Sequence, residues 1–132
     1  MVTNFEDITK ELTPDELAIS ETVKDILLLH GPENQITGIS ICAKINASYT
    51  RGENTKLTGA RLRKIVNHLR SNGILPIIAT QKGYYSSYDT ETIQSQIRSL
   101  KERAAGIYQA AHGLSRFLTP DQLSLFNESE NE

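Results

Sequence analysis

The first run of regularly spaced apolar residues predicts a helix from Thr13 to about His30. Thr13-Pro-Asp-Glu16 has the pattern of a capping box, in which the threonine and the glutamate side chains satisfy backbone N–H groups at the helix start. Proline suits the first helical position because the N–H group it lacks has no partner there. Gly31-Pro32 ends the helix. The predicted apolar face consists of Leu17, Val23, Ile26 and Leu27.

The next apolar segments predict two further helices. A short one begins at Gly38 and covers 39–45, and a polar loop without periodicity follows over 46–56. The third helix runs from about Thr58 to Ser71, and Gly73 closes it in the left-handed conformation that often follows a helix. Its buried stripe has i, i+3, i+4, i+7 spacing and consists of Leu62, Ile65, Val66 and Leu69.

A β-hairpin and a long helix are predicted after the third helix. Apolar and aromatic runs at 74–80 and 84–88 flank the turn residues 81–83, and Asp89 caps a helix from about Thr90 to Phe117. Apolar residues recur along this helix at alternating intervals of four and three, which is the heptad pattern of paired helices. These residues are Ile93, Ile97, Leu100, Ala104, Ile107, Ala111, Leu114 and Leu118. A helix this long exceeds what a small domain covers, so homodimerisation through 93–118 is favoured over packing back across the first helix.

The order helix, short helix, loop, helix, hairpin predicts a winged helix-turn-helix. The fold class is therefore mainly α with a β-hairpin, followed by a long C-terminal helix and a flexible tail. The expected divisions are a flexible N-terminus at 1–12, the winged-helix domain at 13–89, the long helix at 90–118 and a disordered tail at 119–132. The loop at 46–56 is longer than the turn of a tight helix-turn-helix, which leaves the orientation of the third helix open.

The stretch 36–118 resembles a group of small winged-helix proteins common in bacteriophages and related mobile elements. The resemblance rests on Leu62-Arg-Lys-Ile-Val-Asn-His-Leu-Arg-Ser-Asn-Gly73, on Pro76-Ile-Ile-Ala, on Lys82-Gly-Tyr-Tyr85, and on Ile97-Arg-Ser-Leu100 with Ile107. It implies a winged-helix fold and a phage or mobile-element setting. It does not define a biochemical activity.

Charge is strongly segregated along a chain whose formal net charge is only -2. Residues 1–33 contain eight acidic and two basic side chains, whereas residues 34–82 contain eight basic side chains and one acidic, Glu53. A local excess of positive charge favours nucleic-acid binding, because phosphate neutralisation depends on the contacting face rather than on the whole protein.

The third helix and the hairpin turn supply the candidate DNA-binding residues. The N-terminal part of a recognition helix meets base edges in the major groove, which favours Thr58, Arg61 and Lys64. Arg61, Lys64 and His68 share one side of the helix by their spacing. Lys82 lies at the hairpin tip, where a wing touches the backbone or the minor groove. The full candidate set is Lys56, Thr58, Arg61, Arg63, Lys64, His68 and Lys82. The alternative is a solvated basic face on an ordinary helix.

The tail contains Gln122-Leu-Ser-Leu-Phe126 ahead of an acidic end. At every position this segment is similar to the pentapeptide by which many bacterial polymerases and repair proteins bind the β sliding clamp. The resemblance implies that Leu123, Leu125 and Phe126 fill an apolar groove of the clamp, that Gln122 supplies directed hydrogen bonds, and that Ser124 lies between them. In the alternative, the three apolar side chains pack back on the long helix.

No catalytic, metal or cofactor site is expected. His30, His68 and His112 lack ligand spacing, and Cys42 lies in an apolar segment that suits a small core residue. There is no glycine-rich phosphate loop and no arrangement of nucleophile and base. The protein is therefore not expected to be an enzyme. A single cysteine and the lack of an apolar run near the roughly 20 residues that span a bilayer indicate a cytoplasmic protein without a membrane partner.

DNA and the host β sliding clamp are the expected partners, with a second copy of the chain. The sequence thus predicts a replication accessory or origin-binding protein of a phage or mobile element. Two alternatives stay open: a clamp-blocking inhibitor of host replication, and a winged-helix transcriptional regulator for which the clamp motif is incidental.

Overall fold

The computed structural model describes residues 11–48 and 56–131, with side chains as far as Leu125. Its helices are α1 (Pro14–Leu28), α2 (Gly38–Ser48), α3 (Gly59–Ser71), α4 (Thr90–Ser115) and α5 (Pro120–Asn131). The antiparallel strands are β1 (Ile77–Thr80) and β2 (Gly83–Ser86). The prediction of a mainly helical chain with one β-hairpin is confirmed for these residues. The predicted flexible N-terminus, apart from Glu11 and Leu12, and most of the predicted loop at 46–56 lie outside them.

The capping box predicted for α1 is present. The Thr13 hydroxyl accepts from the Glu16 backbone N–H at 3.2 Å, and Glu16 Oε1 accepts from the Thr13 N–H at 2.9 Å. The buried face of the helix differs from the prediction, because Leu17 is exposed and Ile19 is buried instead. The buried positions also include Glu16 and Ser20. Val23 and Leu27 are buried as predicted and Ile26 packs against the core, so Leu17 is the one predicted position that differs.

Asn46 does not begin a loop as predicted. It lies within α2, and its side-chain amide bonds the backbone of Leu57 twice, donating to the carbonyl and accepting from the N–H group, both at 2.9 Å. Leu57 is buried. These two hydrogen bonds hold the chain just before α3 against the last turn of α2, and so fix where α3 begins.

α3 has the predicted boundaries and stripe. Thr58 caps it by accepting from the Arg61 N–H at 3.3 Å, and Gly73 follows it with a φ of 64°. The four predicted core residues of this helix are all buried. Local capping and a left-handed glycine thus set both ends of the helix, while the apolar stripe orients it towards the core.

The hairpin is a β1–β2 ladder closed by a two-residue turn, with Ile77 paired to Ser86 and Thr80 to Gly83. A third extended segment joins it at Ile36, whose N–H donates to the Tyr84 carbonyl at 3.0 Å and whose carbonyl accepts from the Tyr84 N–H at 2.7 Å. Gly83 has a φ of 139°, and a Cβ there would lie 2.4 Å from the Ile36 oxygen. Only glycine allows this close approach.

One hydrophobic core serves the first of the two units into which the chain divides, 1–93 and 94–132. Its buried members come from α1, α2, α3, the hairpin and the segments between them, from Ile19 to Ile77. Leu12, Ile26, Cys42 and Tyr84 pack against it. Burial raises the pKa of the Cys42 thiol, which agrees with its interpretation as a core residue.

The C-terminal helices differ in how well the sequence predicted them. α4 begins after Asp89, whose carboxylate accepts from the Thr92 N–H at 3.0 Å, and ends within two residues of the predicted boundary. The expected disordered tail is instead the helix α5. Two hydrogen bonds between Thr119 and Gln122 explain why the helix starts here. The Thr119 N–H donates to Gln122 Oε1 at 2.9 Å, and the Gln122 N–H donates to Thr119 Oγ1 at 3.3 Å. This is a second capping box.

Among the described residues, no helix is both long and apolar enough to pass through a bilayer.

Candidate nucleic-acid interface

Lys64 is buried, so the prediction that its side chain lies on the open face of α3 is wrong. Its ammonium group lies 2.6 Å from Glu16 Oε1, and the two side chains are only 10% and 4% exposed. The reason is that α1 packs against α3 and covers this part of the helix, which a helical wheel of α3 alone does not show. The Arg61–Lys64–His68 side of α3 is therefore partly enclosed, and Arg61 and His68 are half-buried.

The buried carboxylate of this pair is stabilised in its charged form. Burial by itself raises the pKa of Glu16, but hydrogen bonds from Lys64 and from the backbone of Thr13 outweigh burial and bring the pKa below its ordinary value of 4.5. Glu16 thus belongs both to the cap of α1 and to the contact between α1 and α3. The pair therefore links α1 to α3 through a buried contact.

The open side of α3 faces a groove of about 360 Å³, which we call the hairpin groove. It lies between the first turn of α2, the first turn of α3 and the turn of the hairpin. The lining residues are Thr37, Gly38, Ile39, Gly59, Leu62, Arg63, Ala79, Thr80, Gln81, Gly83 and Tyr84. The first turns of α2 and α3 therefore both line the groove, and the helix dipole favours negative charge near each helix start.

The charge of the hairpin groove is positive. Arg63 is the one charged residue among those that line it, and its side chain is exposed. Its guanidinium lies above the first turn of α3, because a Cβ placed on Gly59 would be 3.6 Å from the Arg63 Nη1 atom. No acidic side chain is among the lining residues. An anion such as a phosphate would meet one guanidinium and two helix N-termini there.

Of the seven predicted DNA-binding residues, Arg63 alone lines the groove. Thr58 and Lys82 border it through their chain neighbours Gly59 and Gln81, and both are exposed. The Thr58 hydroxyl serves as the cap of α3.

Lys56 is exposed, and its carbonyl accepts from Arg61 Nη1 at 3.2 Å, which draws Arg61 towards the start of the helix. His68 lies near the other end of α3, where its Nδ1 is 3.2 Å from Asn72 Nδ2. The structure therefore does not bring His68 to the groove.

Sequence reasoning missed the contribution of α2 and of the hairpin walls. Thr37 begins α2 by accepting from the Ser40 N–H at 3.1 Å, and Ile39 is 85% exposed at the groove edge. Gln81 and Tyr84 line it from the hairpin. A Thr-x-x-Ser pattern before an apolar run indicates a helix start, but nothing in the sequence shows that this start faces the one at Thr58.

Residues 122–126, which resemble the clamp-binding pentapeptide, begin in the first turn of α5. Gln122 is occupied in the capping box, Leu123 is partly buried, and Ser124 and Leu125 are exposed. The side chain of Phe126 lies outside the described residues. In a helix, Leu123 and Leu125 point about 200° apart, whereas in an extended chain they lie on the same side. A single apolar anchor made of both leucines therefore requires the helix to open.

The described residues contain no group of three His, Cys, Asp or Glu side chains placed to hold a metal ion. No protein-family model matches the chain, and no curated protein or solved structure matches it either. The groove, its charge and the tail segment are the features that bear on function.

Proposed function

We propose that this protein is a winged helix-turn-helix DNA-binding protein that uses the hairpin groove and its rim to bind the DNA backbone and base edges. The observation that carries the proposal is the groove itself: two helix N-termini and the Arg63 guanidinium converge there, with no acid among the lining residues. Such an arrangement attracts phosphate through both backbone dipoles and a permanent cation.

The order of elements supports this interpretation. A short extended segment at Ile36 lies between α1 and α2 and pairs with β2, so the hairpin is anchored to the helices by backbone hydrogen bonds. The hairpin turn that carries Lys82 and the first turn of α3 line the same groove, which supports a comparison with a wing and a recognition helix. Arg63, near the start of α3, is the residue best placed for a bidentate contact to guanine or phosphate.

Duplex DNA binding should be measured by fluorescence anisotropy at several salt concentrations. Arg63→Ala and Lys82→Ala should each weaken binding, and each lost phosphate contact should flatten the log-log salt dependence by about 0.9. Arg98→Ala, an exposed arginine of α4, is the matched control and should change neither quantity. Unchanged affinity and salt slope in both groove variants would contradict DNA binding through this face.

For the tail, we propose that Gln122–Phe126 binds a bacterial β sliding clamp and that the protein is a replication accessory or origin-binding protein of a phage or mobile element. The support is the full match to the clamp-binding pentapeptide, together with the exposure of Leu125, which is 67% accessible in the helix. An exposed leucine beside an acidic chain end has no partner among the described residues of the core.

Binding of a peptide covering 118–132 to a purified clamp tests the tail. We expect micromolar affinity, about -8 kcal/mol, because a short peptide must be ordered as it binds. Leu125→Ala with Phe126→Ala should abolish binding, and Gln122→Ala should weaken it. In full-length protein the double change should alter the free energy of unfolding by no more than about 0.5 kcal/mol. A large loss of stability without any clamp affinity would mean that these side chains serve the fold.

The capping box adds a sharper test, because the Gln122 side chain is turned back to the Thr119 N–H and has to leave it in order to extend towards a partner. Thr119→Ala should loosen α5, by about 1 kcal/mol, and raise clamp affinity severalfold. Weaker clamp binding by Thr119→Ala would indicate that the segment binds as a helix.

A further inference from the structure

The long helix α4 presents an apolar stripe that nothing in its own chain segment buries. From Gln94 to Leu125 no side chain is buried, and Ile97, Leu100 and Ile107 are 45%, 38% and 62% exposed. The core of the first unit is complete without them. A helix of 26 residues with such a stripe is unstable in water by itself, because most helical stability in proteins comes from packing of the apolar face. The stripe therefore needs a partner.

The sizes of the side chains along the stripe indicate what the partner is. In chain order the stripe within α4 runs from large residues to alternating small and large ones: Ile97, Leu100, Ala104, Ile107, Ala111 and Leu114. When this sequence is laid against itself in the opposite direction, Ala104 meets Ile107, Ala111 meets Leu100 and Ile97 meets Leu114. Both alanines then face a large side chain, which gives layers of nearly constant volume.

The parallel arrangement lacks this complementarity. Each residue would then face its own copy, so that Ala104 would meet Ala104 between layers of two leucines and two isoleucines. The cavity left at each alanine layer costs stability, since the lining atoms lose their contacts. Antiparallel pairing removes both alanine layers.

The charges beside the stripe are compatible with the antiparallel arrangement. Lys101 and Arg103 flank the stripe on its two sides. In the antiparallel pair Lys101 lies opposite Tyr108 of the second copy, and Arg103 lies opposite Ala110. No two like charges face each other, and the lysine meets an aromatic ring, which attracts cations.

We propose that two copies of this protein associate through an antiparallel pair of α4 helices, centred between Ala104 and Ile107. The interface is isologous, as expected for a twofold dimer. The first residues of the two α4 helices then lie at opposite ends of a helix pair about 39 Å long. The proposal does not depend on DNA or clamp binding and stands or falls separately from them.

Spin-label distances in the full-length protein test the orientation. Ser95→Cys and Gln109→Cys lie on the outer side of α4, one and three heptads along it, and are introduced separately with Cys42→Ser to leave one thiol. In the antiparallel pair the two labels at position 95 are separated along the axis by about 32 Å and those at position 109 by about 10 Å. Equal distances at both positions would overturn the orientation, and a monomer at high micromolar concentration would overturn the dimer.

Sedimentation equilibrium of Ala104→Leu gives an independent test whose sign depends on the orientation. In the antiparallel pair the larger side chain collides with Ile107 of the second copy, so the dimer dissociation constant should rise at least tenfold. In a parallel pair it would fill the alanine cavity and tighten the dimer. Ala105→Leu, on the outer face of the same turn, should leave the constant within twofold. Tightening by Ala104→Leu contradicts the proposal.

Discussion

Lys64→Met is expected to unfold the protein more readily while leaving its affinity for DNA unchanged. Lys64 is the only basic residue predicted to bind DNA whose side chain is buried, and its ammonium lies 2.6 Å from Glu16 Oε1. Methionine fills nearly the same volume, so the substitution removes the charge without leaving a large cavity. What remains is a buried carboxylate without its cation.

The cost follows from that unpaired carboxylate. Removing one member of a buried ion pair typically costs about 3–5 kcal/mol, which is a large part of the 5–15 kcal/mol that stabilises a small domain. Residual hydrogen bonding from the Thr13 N–H to Glu16 should hold the loss near the lower value, about 3 kcal/mol. Lys44→Met, an exposed lysine on α2, is the matched control and should cost no more than about 0.5 kcal/mol.

The double variant Glu16→Gln with Lys64→Met should be more stable than Lys64→Met alone. Glutamine at position 16 still accepts the Thr13 N–H and so keeps the capping box, but it no longer buries a charge. Urea unfolding followed by circular dichroism gives the four free energies of this cycle. If the double variant is no more stable than Lys64→Met, the two groups do not form a pair in the folded protein.

The pair also predicts a dependence on pH. The pKa of Glu16 is lower in the folded protein than its ordinary value of 4.5, so its contribution to stability is fully present above about pH 4.5. That contribution disappears as the pH falls through the folded-state pKa, because protonation is easier in the unfolded chain. Glu16→Gln should therefore lose less stability than the wild-type protein on acidification below pH 4.5. Equal acid sensitivity would refute this assignment.

DNA affinity separates the structural role from the binding role. The double variant, measured where it is folded, should bind duplex DNA as the wild-type protein does, whereas Arg63→Ala should not. A loss in the double variant equal to that of Arg63→Ala would mean that Lys64 reaches DNA, and the interpretation of its burial would fail.

Two further substitutions, one of them with a matched control, test how the groove is held together. Gly83→Ala should destabilise the protein by at least about 2 kcal/mol in thermal unfolding, because position 83 has a φ of 139° and the new Cβ would approach the Ile36 oxygen to 2.4 Å. Gly73→Ala, with a φ of 64° and open space around it, should cost only about 1 kcal/mol, and equal effects would contradict the close approach. Asn46→Ala should cost about 2–3 kcal/mol in urea unfolding by leaving the N–H and carbonyl of buried Leu57 unpaired, whereas a neutral effect would show that water replaces the amide.

Much of the fold was predictable because its signals act over a few residues. The capping box at Thr13, the cap at Thr58, the left-handed Gly73 and the turn before Gly83 all act within about four positions of the chain. The stripe of α3 follows from helical geometry alone. The same kind of signal stands at Thr119 and Gln122, yet α5 was expected to be disordered, because the segment was interpreted only by its resemblance to a binding peptide.

The candidate site depended on contacts that no local pattern encodes. Glu16 and Lys64 are 48 positions apart, and their pairing turns a predicted DNA contact into a buried ion pair. The groove likewise forms because Asn46 holds Leu57 and Ile36 pairs with Tyr84, which brings two helix starts and the hairpin turn to Arg63. The residue pattern alone predicted α1, α3 and α4 to within about two residues and showed that the basic charge lies between residues 34 and 82. Tertiary packing sets which of those basic side chains face solvent, because burial depends on the neighbouring elements that cover each side chain.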